Sequence, residues 1–240
     1  MNDAFAGYRQ ENFVFEQMQA AIVYPNVPAT GRWAIYTEYF GAFPGTALAL
    51  LERGYAIAGL ENTTRWGGAE DPARHARFAG FMEDRGFAPR CVPIGMSCGG
   101  LQAIKFAAFA PERVSVLYLD APVVNLLSCP LHCGGGERDE DVVQECLRAL
   151  GRTASEMLSY RDHPLDHIPA LVTHRIPIVL VYGDSDPVVP YPENGALIER
   201  AYREAGAPIV TYGKAGCAHH PHGLEDPTPI VEYILAYDEP

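Results

Sequence analysis

Hydrophobic and polar positions run in blocks along this chain, and the blocks change period from one to the next. Glu11–Glu16 and Met18–Tyr24 are rich in strand-forming residues and separated by little, which predicts an antiparallel pair. Pro25–Gly31 is a loop by its Pro, Asn and Gly content, and Trp33-Ala34-Ile35-Tyr36 predicts a strand ending near Thr37-Glu38. Gly41–Gly45 is a turn. Thr46–Arg53, with Leu48, Leu50 and Leu51, predicts a short helix with Gly54 as its cap. Tyr55–Leu60 predicts a buried strand, followed by a loop over Glu61–Glu70. Asp71-Pro72 is an N-cap followed by proline in the first helical turn, and the helix to Arg85 puts Phe78, Phe81 and Met82 on one side, with Gly86 ending it. Cys91–Ile94 is a short apolar run, Leu101–Phe109 an alanine-rich helix stopped by Pro111, and Val114–Leu119 an apolar strand closing on Asp120-Ala121-Pro122.

From Val123 to His174 the alternation breaks. A Cys/Gly-rich loop (Cys129–Gly136), a helix (Asp139–Leu150) and a polar, His-containing stretch succeed one another. A connection this long is usually functional, and residues 125–170 read as a small cap or lid. Regular order resumes with a strand at Ile176–Tyr182, a helix from about Glu193 to Ala205 and a strand at Ile209–Tyr212. In the last helix, capped by Asp226-Pro227, Ile230, Tyr233, Ile234 and Tyr237 form an i, i+3, i+4, i+7 stripe. Apolar strands alternating with helices predict an α/β fold: a mostly parallel sheet covered on both faces, with antiparallel strands at one edge.

At 240 residues the chain suits one domain, residues 1–240, with the cap as an insertion. A chain of that size buries about 70–75% of the surface it exposes when unfolded, so it needs no disulfide or metal for stability. Net charge is −12, from 18 basic and 30 acidic residues, which argues against nucleic acid and against an anionic membrane surface as partners. Only Lys105 and Lys214 of the basic residues are lysines. The first residues contain no apolar signal segment, and no run approaches the roughly 18 apolar residues of a membrane span. The expectation is a soluble cytoplasmic protein. The six cysteines are irregularly spaced, and in that setting free thiols are the default.

The chemistry centres on Gly95-Met96-Ser97-Cys98-Gly99-Gly100. An apolar strand, then G-x-S-x-G, then a helix is the sequence form of a nucleophile elbow, which holds a serine hydroxyl out of the sheet at a helix N-terminus. A serine needs a base, and the base needs an anion to orient it. After the strand Ile176–Tyr182 comes Gly183-Asp184-Ser185-Asp186-Pro187-Val188-Val189-Pro190, which resembles the G-x-x-D-x-x-V-P turn that carries the acid in α/β-hydrolases, and the match implies Asp186 as the anion. Asp184 is the rival, or else a turn carboxylate bonded to backbone N–H groups. After the strand Ile209–Tyr212 comes Gly216-Cys217-Ala218-His219-His220-Pro221-His222, which holds three of the chain's eight histidines. The stretch resembles the G-x-[GA]-H pattern of the α/β-hydrolases, and that resemblance implies His219 as the base. His220 and His222 are then supporting or substrate-facing groups. A metal reading of this cluster lacks a carboxylate or cysteine partner at tight spacing, and Cys129, His132 and Cys133 are half a zinc site without a second half. No metal and no cofactor are expected.

An oxyanion hole needs two donors. One is the backbone N–H of Cys98. The other is sought among Glu38, Tyr39 and Phe40, with Tyr39 favoured. Glu38 is a candidate substrate contact or a structural carboxylate, and Trp66 a candidate platform for a sugar ring or a packing aromatic.

These motifs resemble those of the α/β-hydrolases, whose triad runs Ser, Asp or Glu, then His, each after a strand. Trp33–Phe43, Gly95–Gly100, Asp120–Val123, Asp186–Pro190 with Glu193-Asn194, and His219–Leu224 together resemble one bacterial branch, covering residues 13–236. That branch resembles carbohydrate esterases of the pectin methylesterase type, and the triad and elbow are shared with prolyl-oligopeptidase-type hydrolase domains. The resemblance implies hydrolysis of a small methyl or acetyl ester on a carbohydrate. Many relatives carry an arginine where this chain has Cys98, which shifts the expectation toward a less acidic ester. The alternatives are a peptidase or acyl-aminoacyl hydrolase, against which the absence of a propeller domain counts for large peptides, and a non-catalytic binding protein that keeps the fold.

Overall fold

A computed structural model describes residues 3–134 and 136–238; residues 1, 2, 135, 239 and 240, which belong to the expected full-length domain and cap, lie outside the described residues. The strands are β1 (Arg9–Phe15), β2 (Met18–Tyr24), β3 (Trp33–Tyr36), β4 (Ala56–Leu60), β5 (Val92–Met96), β6 (Leu117–Asp120), β7 (Ile178–Gly183) and β8 (Ile209–Lys214). They form one sheet in the order β1-β2-β4-β3-β5-β6-β7-β8. β1 pairs with β2, and β2 with β4, in antiparallel fashion; every other pair is parallel.

The helices are α1 (Gly45–Leu51), α2 (Asp71–Asp84), α3 (Cys98–Phe109), α4 (Glu140–Leu150), α5 (Ala154–Met157), α6 (Pro164–Thr173), α7 (Gly195–Glu204) and α8 (Thr228–Tyr237). Successive strand residues point to opposite faces of a sheet, and two separate cores result. Trp33 and Ile35 pack with Phe78 and Met82 of α2, Ile104 and Phe106 of α3, Leu171 of α6 and Tyr202 of α7. Ala34 and Tyr36 pack on the other side with Leu50 and Leu51 of α1 and Ile230 and Ile234 of α8. A third cluster lies over the C-terminal ends of the strands, where Val143, Cys146 and Leu147 of α4 and Met157 of α5 meet Trp66, Cys98, Leu101 and Val189. No helix among the described residues is long and apolar enough to cross a membrane.

Three local expectations need correcting. Asp71 is not the cap of α2: the helix starts at Asp71 itself, and its buried carboxylate accepts from Thr63 N–H (2.9 Å), Thr63 Oγ1 (2.8 Å), Gly68 N–H (3.1 Å) and Arg74 Nη1 (2.6 Å). It ties down the 61–70 loop instead. The helix expected from Glu193 begins at Gly195, after a 3-10 turn over Tyr191–Glu193. The polar stretch after Leu150 contains α5 and α6. Pro164 sits in the first turn of α6, where a missing N–H costs nothing, and His163 N–H donates to Asp166 Oδ2 at 3.0 Å to close the start. The six cysteines, all described, are free thiols.

His75, between α2 and α3, is almost wholly buried. Its Nδ1 donates to the Asp71 carbonyl oxygen (3.0 Å), its ring packs on Phe106 (5.4 Å between centroids), and its Nε2 has no partner. Burial holds its pKa below the usual histidine value. The folded state therefore takes up this proton less readily than the unfolded chain does. The neutral ring's contribution is complete above the unfolded pKa of about 6.5 and is lost as pH falls toward the folded value. Urea titrations from about pH 8 to pH 5 should show the midpoint falling below about pH 6.5. His75→Leu should remove part of that slope, and an unchanged slope would contradict this account.

Candidate active site

The elbow forms because its small residues leave room. β5 ends at Met96 and α3 begins at Cys98, so Ser97 alone makes the turn, at φ 51° and ψ −119°. This is a left-handed conformation that costs a non-glycine residue on the order of 1–3 kcal/mol. The strands and helix around it hold it there. Ser97 N–H donates to the Asp120 carbonyl (3.0 Å), and the Ser97 carbonyl accepts from Gly100 N–H and Val123 N–H (3.0 Å each). A Cβ on Gly95 would lie 2.8 Å from Gly100 Cα, and one on Gly100 would lie 2.4 Å from Pro122 Cβ. These glycines permit close approach of α3 to the ends of β5 and β6.

Ser97, Asp186 and His219 follow β5, β7 and β8 and converge. His219 Nε2 lies 3.1 Å from Ser97 Oγ, and His219 Nδ1 lies 2.7 Å from Asp186 Oδ2. Asp186 Oδ1 accepts from the N–H groups of Val188 (2.8 Å) and Val189 (2.9 Å). Burial pushes the Asp186 carboxyl up, but the hydrogen bond from His219 and these two N–H groups outweigh it and hold the group below its ordinary value. A carboxylate fixed in this way accepts a hydrogen bond from His219 Nδ1–H and leaves the Nε2 lone pair for the Ser97 hydroxyl. Asp184, the rival, instead accepts from Gly216 N–H (2.7 Å) and Ser185 Oγ (2.9 Å), as a turn carboxylate does.

A cavity of about 400 Å³ opens over Ser97. Most of its wall is apolar or aromatic, including Tyr39, Phe43, Trp66, Met96, Cys129 and Val188. Arg65 reaches it as well, but its guanidinium grips Glu145, with Nε 2.8 Å from Oε1. Its charge is thereby neutralised at the cavity wall. The Cys98 thiol is buried and pushed up to about 11 by that burial, so it stays protonated at neutral pH.

The structure does not bring every expected contact to this cavity. Glu38 lines a different recess, with Gln19, Gly59 and Glu61, on the far side of the Tyr39 loop. Its carboxylate accepts from Asn62 Nδ2 at 2.9 Å and is drawn to the Tyr39 backbone N–H, while burial raises its pKa. Glu38 shapes the loop and does not face the site. Trp66 is 2% exposed, with the Arg65 guanidinium carbon 5.2 Å from its ring centroid. It forms wall, and no ring face is free to stack on a sugar. Tyr39 does face Ser97, and the Cys98 N–H stands in the first turn of α3, where backbone donors have no intrahelical partner. His220 is exposed at the cavity mouth and stacks on Phe43, with centroids 5.4 Å apart and planes 12° apart.

His222 is buried, and its Nδ1 is 2.8 Å from Asp120 Oδ1. Asp120 Oδ2 also accepts from Gly223 N–H and from the Tyr118 hydroxyl (3.2 Å). This second histidine–carboxylate pair was not foreseen. Asp120 reads in the sequence as the end of a strand, and the available signal was that its strand is the neighbour of the elbow's. Asn194 was missed as a positioning group. Buried, it accepts from Val124 N–H and Asn125 N–H (3.0 Å each) and donates to Ser128 Oγ (3.0 Å) and the Pro190 carbonyl (3.1 Å), locking the root of the 125–170 segment to the Asp186 loop. Cys129, His132 and Cys133 do not assemble a metal site. The one group of three or more possible ligands among the described residues is His219, His220 and His222.

No protein-family model matches the chain, and no curated protein sequence matches it. Solved structures do. A puromycin hydrolase mutant complexed with PGG matches at TM-score 0.72 and 18% identity over 99% of this chain and 40% of its own. Est1E from Butyrivibrio proteoclasticus matches at 0.67 and 16%, over 95% and 98%. MGS-MChE2, an alpha/beta hydrolase enzyme from the metagenome of sediments from the lagoon of Mar Chica, Morocco, matches at 0.59 and 16%, over 95% and 100%. The architecture is that of the α/β-hydrolases. Within it, the chain spans about two-fifths of the puromycin hydrolase and nearly all of Est1E and MGS-MChE2.

Gly100→Ala would drive its methyl group into Pro122 backbone and side chain at 2.7 and 2.4 Å. Overpacking of this kind costs about 1–3 kcal/mol. Chemical denaturation should show a loss of that size, and a variant as stable as the parent would refute the packing account of the elbow.

Proposed function

We propose that the protein is a serine hydrolase that cleaves a carboxylic ester through an acyl-enzyme. The observation that carries this is the continuous hydrogen-bonded line Ser97 Oγ, His219 Nε2, His219 Nδ1, Asp186 Oδ2, at 3.1 and 2.7 Å. His219 takes the hydroxyl proton as Ser97 Oγ attacks the ester carbonyl. Asp186 keeps the ring oriented and stabilises its charged form. His219 then protonates the leaving alkoxide, and the alcohol departs. A water, deprotonated by His219, attacks the acyl-enzyme and releases the acid.

Charge on the carbonyl oxygen falls to the Cys98 N–H and, as second donor, the Tyr39 N–H. The Tyr39 donor is drawn toward the Glu38 carboxyl, so it serves only after turning from it. The apolar wall supports a compact, uncharged acyl or alkyl group beside Ser97, and the neutralised Arg65 leaves no free cation there for an acidic sugar. The carbohydrate part of the reading rests on the motif resemblance, with the sugar on the open side and the 125–170 cap shaping the entrance.

A peptidase or acyl-aminoacyl hydrolase is the second reading, favoured by the likeness to puromycin hydrolase and to the dipeptidyl peptidase 4 of Porphyromonas gingivalis (TM-score 0.73, 16% identity, 96% of this chain and 35% of that one). Matched ester and amide substrates separate the two, and methanol against acetate release from esterified glycans identifies the group removed.

Ser97→Ala should abolish ester turnover and labelling by a fluorophosphonate. Asp186→Asn should retain the fold and lower kcat by about 10⁴. Normal turnover in either variant would refute the mechanism. An unlabelled Ser97 in the parent protein would point to a binding protein that keeps the fold.

A further inference from the structure

Two histidines at this site are held alike. Asp186 takes the Nδ1 side of His219, and Asp120 takes the Nδ1 side of His222. In each ring the remaining nitrogen is Nε2, presented as a lone pair. A carboxylate behind the far nitrogen is the arrangement that orients metal-ligating histidines and raises their basicity. His220 completes a triangle. The three ring centroids are 4.8, 4.9 and 4.9 Å apart, with interplanar angles of 61°, 80° and 90°. One ligand nitrogen from each lies within 4.8 Å of the others.

We propose that His219, His220 and His222 form a three-nitrogen site for a borderline divalent transition ion such as Zn²⁺, and that the bound ion switches off Ser97. A tetrahedral ion with metal–nitrogen bonds of about 2.0–2.1 Å needs ligand nitrogens about 3.3 Å apart. The triangle must therefore contract, and His220, exposed and held by ring packing on Phe43, His219 and His222 where the other two rings are held by carboxylates, is the ring able to move. Water fills the fourth position. Binding exchanges waters of the ion for nitrogen lone pairs and breaks only the hydrogen bond from Ser97 Oγ to His219 Nε2. With that lone pair engaged, the serine has no acceptor for its proton. Hard cations that prefer oxygen ligands, such as Mg²⁺ and Ca²⁺, do not compete for an all-imidazole set.

The inhibitory half rests on the proposed hydrolase function; the metal site does not. Binding is measured first in Ser97→Ala, by the visible absorption of added Co²⁺ and its displacement by Zn²⁺, with calorimetry for stoichiometry. One ion per chain is expected, and His220→Ala, a surface change that leaves the buried pairs intact, should weaken it tenfold or more. No binding, or an affinity unchanged in His220→Ala, overturns the site. In the parent chain Zn²⁺ should slow fluorophosphonate labelling of Ser97 at least tenfold, reversed by a chelator, with Mg²⁺ inert and His220→Ala needing correspondingly more Zn²⁺. An ion that binds in the Co²⁺ assay yet leaves labelling unchanged overturns the inhibition. A Ser97 that never labels sinks the hydrolase reading and the inhibition that rests on it, while the Co²⁺ spectrum still decides the metal site.

Discussion

The close approach of the first turn of α3 to the ends of β5 and β6 is the constraint on which the site depends. The positive φ of Ser97 is unfavourable in isolation. It persists because Gly95 and Gly100 let helix, strand and the Asp120–Pro122 turn touch at backbone distance, where a side chain would collide. The same contact connects through Thr37, whose buried hydroxyl donates to the Gly99 carbonyl at 2.7 Å, to the loop that carries Tyr39. Ser97, the Cys98 N–H and the Tyr39 loop, the proposed nucleophile and oxyanion donors, are thus placed by one packing event. Parallel strands make this economical: with β3, β5, β6, β7 and β8 all pointing the same way, every loop after a strand opens on the same edge of the sheet.

That edge is covered by the 121–177 connection, whose α4 and α5 residues form a small cluster with Trp66, Leu101 and Val189, while Ile168 and Leu171 of α6 join the sheet core on the Trp33 face. Polar ties secure it. Asn194 bridges its root to the acid loop. Buried Lys105 of α3 reaches Asp162 (2.6 Å) and the Gly67 carbonyl (3.2 Å). His167 adds a second contact to Asp162 (2.7 Å). Burial raises the Asp162 carboxyl, but the bonds from His167 and Lys105 outweigh that and hold it down at about 2, so these ties persist across ordinary pH. The cavity over Ser97 therefore has a wall attached at several points to the elements that carry the triad.

Much of this was legible in the residues, and the boundary is physical. Strand β3, strand β2 and the order Ser97, Asp186, His219 could be read because each depends on local pattern: apolar runs, turn residues, a short motif after a strand. Helix α6 could not, since Pro164 and Pro169 look like breakers unless it is known that Pro164 falls in the first turn. Glu38 and Trp66 stayed open between substrate contact and structural group, because polar and aromatic residues near the Tyr39 and Ser97 loops suit either. Which side of the loop a carboxylate faces depends on Asn62, 24 residues away. Asp120 was passed over for the same reason: its partner His222 is 102 residues distant and comes near only once β6, β7 and β8 lie side by side.

The Asp120–His222 pair also bears on why the cavity is asymmetric. One part of its wall, formed by Trp66, Cys129 and Val142, offers a substrate only dispersion and exclusion of water. Another part carries three imidazoles, two of them backed by carboxylates, with Phe43 packed on His220 and His222. An uncharged acyl group gains nothing from the imidazole rim, and a hydroxylated alcohol gains little from the apolar wall. An ester has both ends. On the proposed ester hydrolysis, a substrate seated with its acyl group toward the apolar part and its alcohol oxygen toward His219 puts the bond to be broken between the two, where His219 would return the proton to the departing oxygen. An ester reversed in that cavity would bury its polar half and leave the leaving group away from His219. On that proposal the division of the cavity into a dry part and a histidine rim sets the direction in which a productive substrate enters.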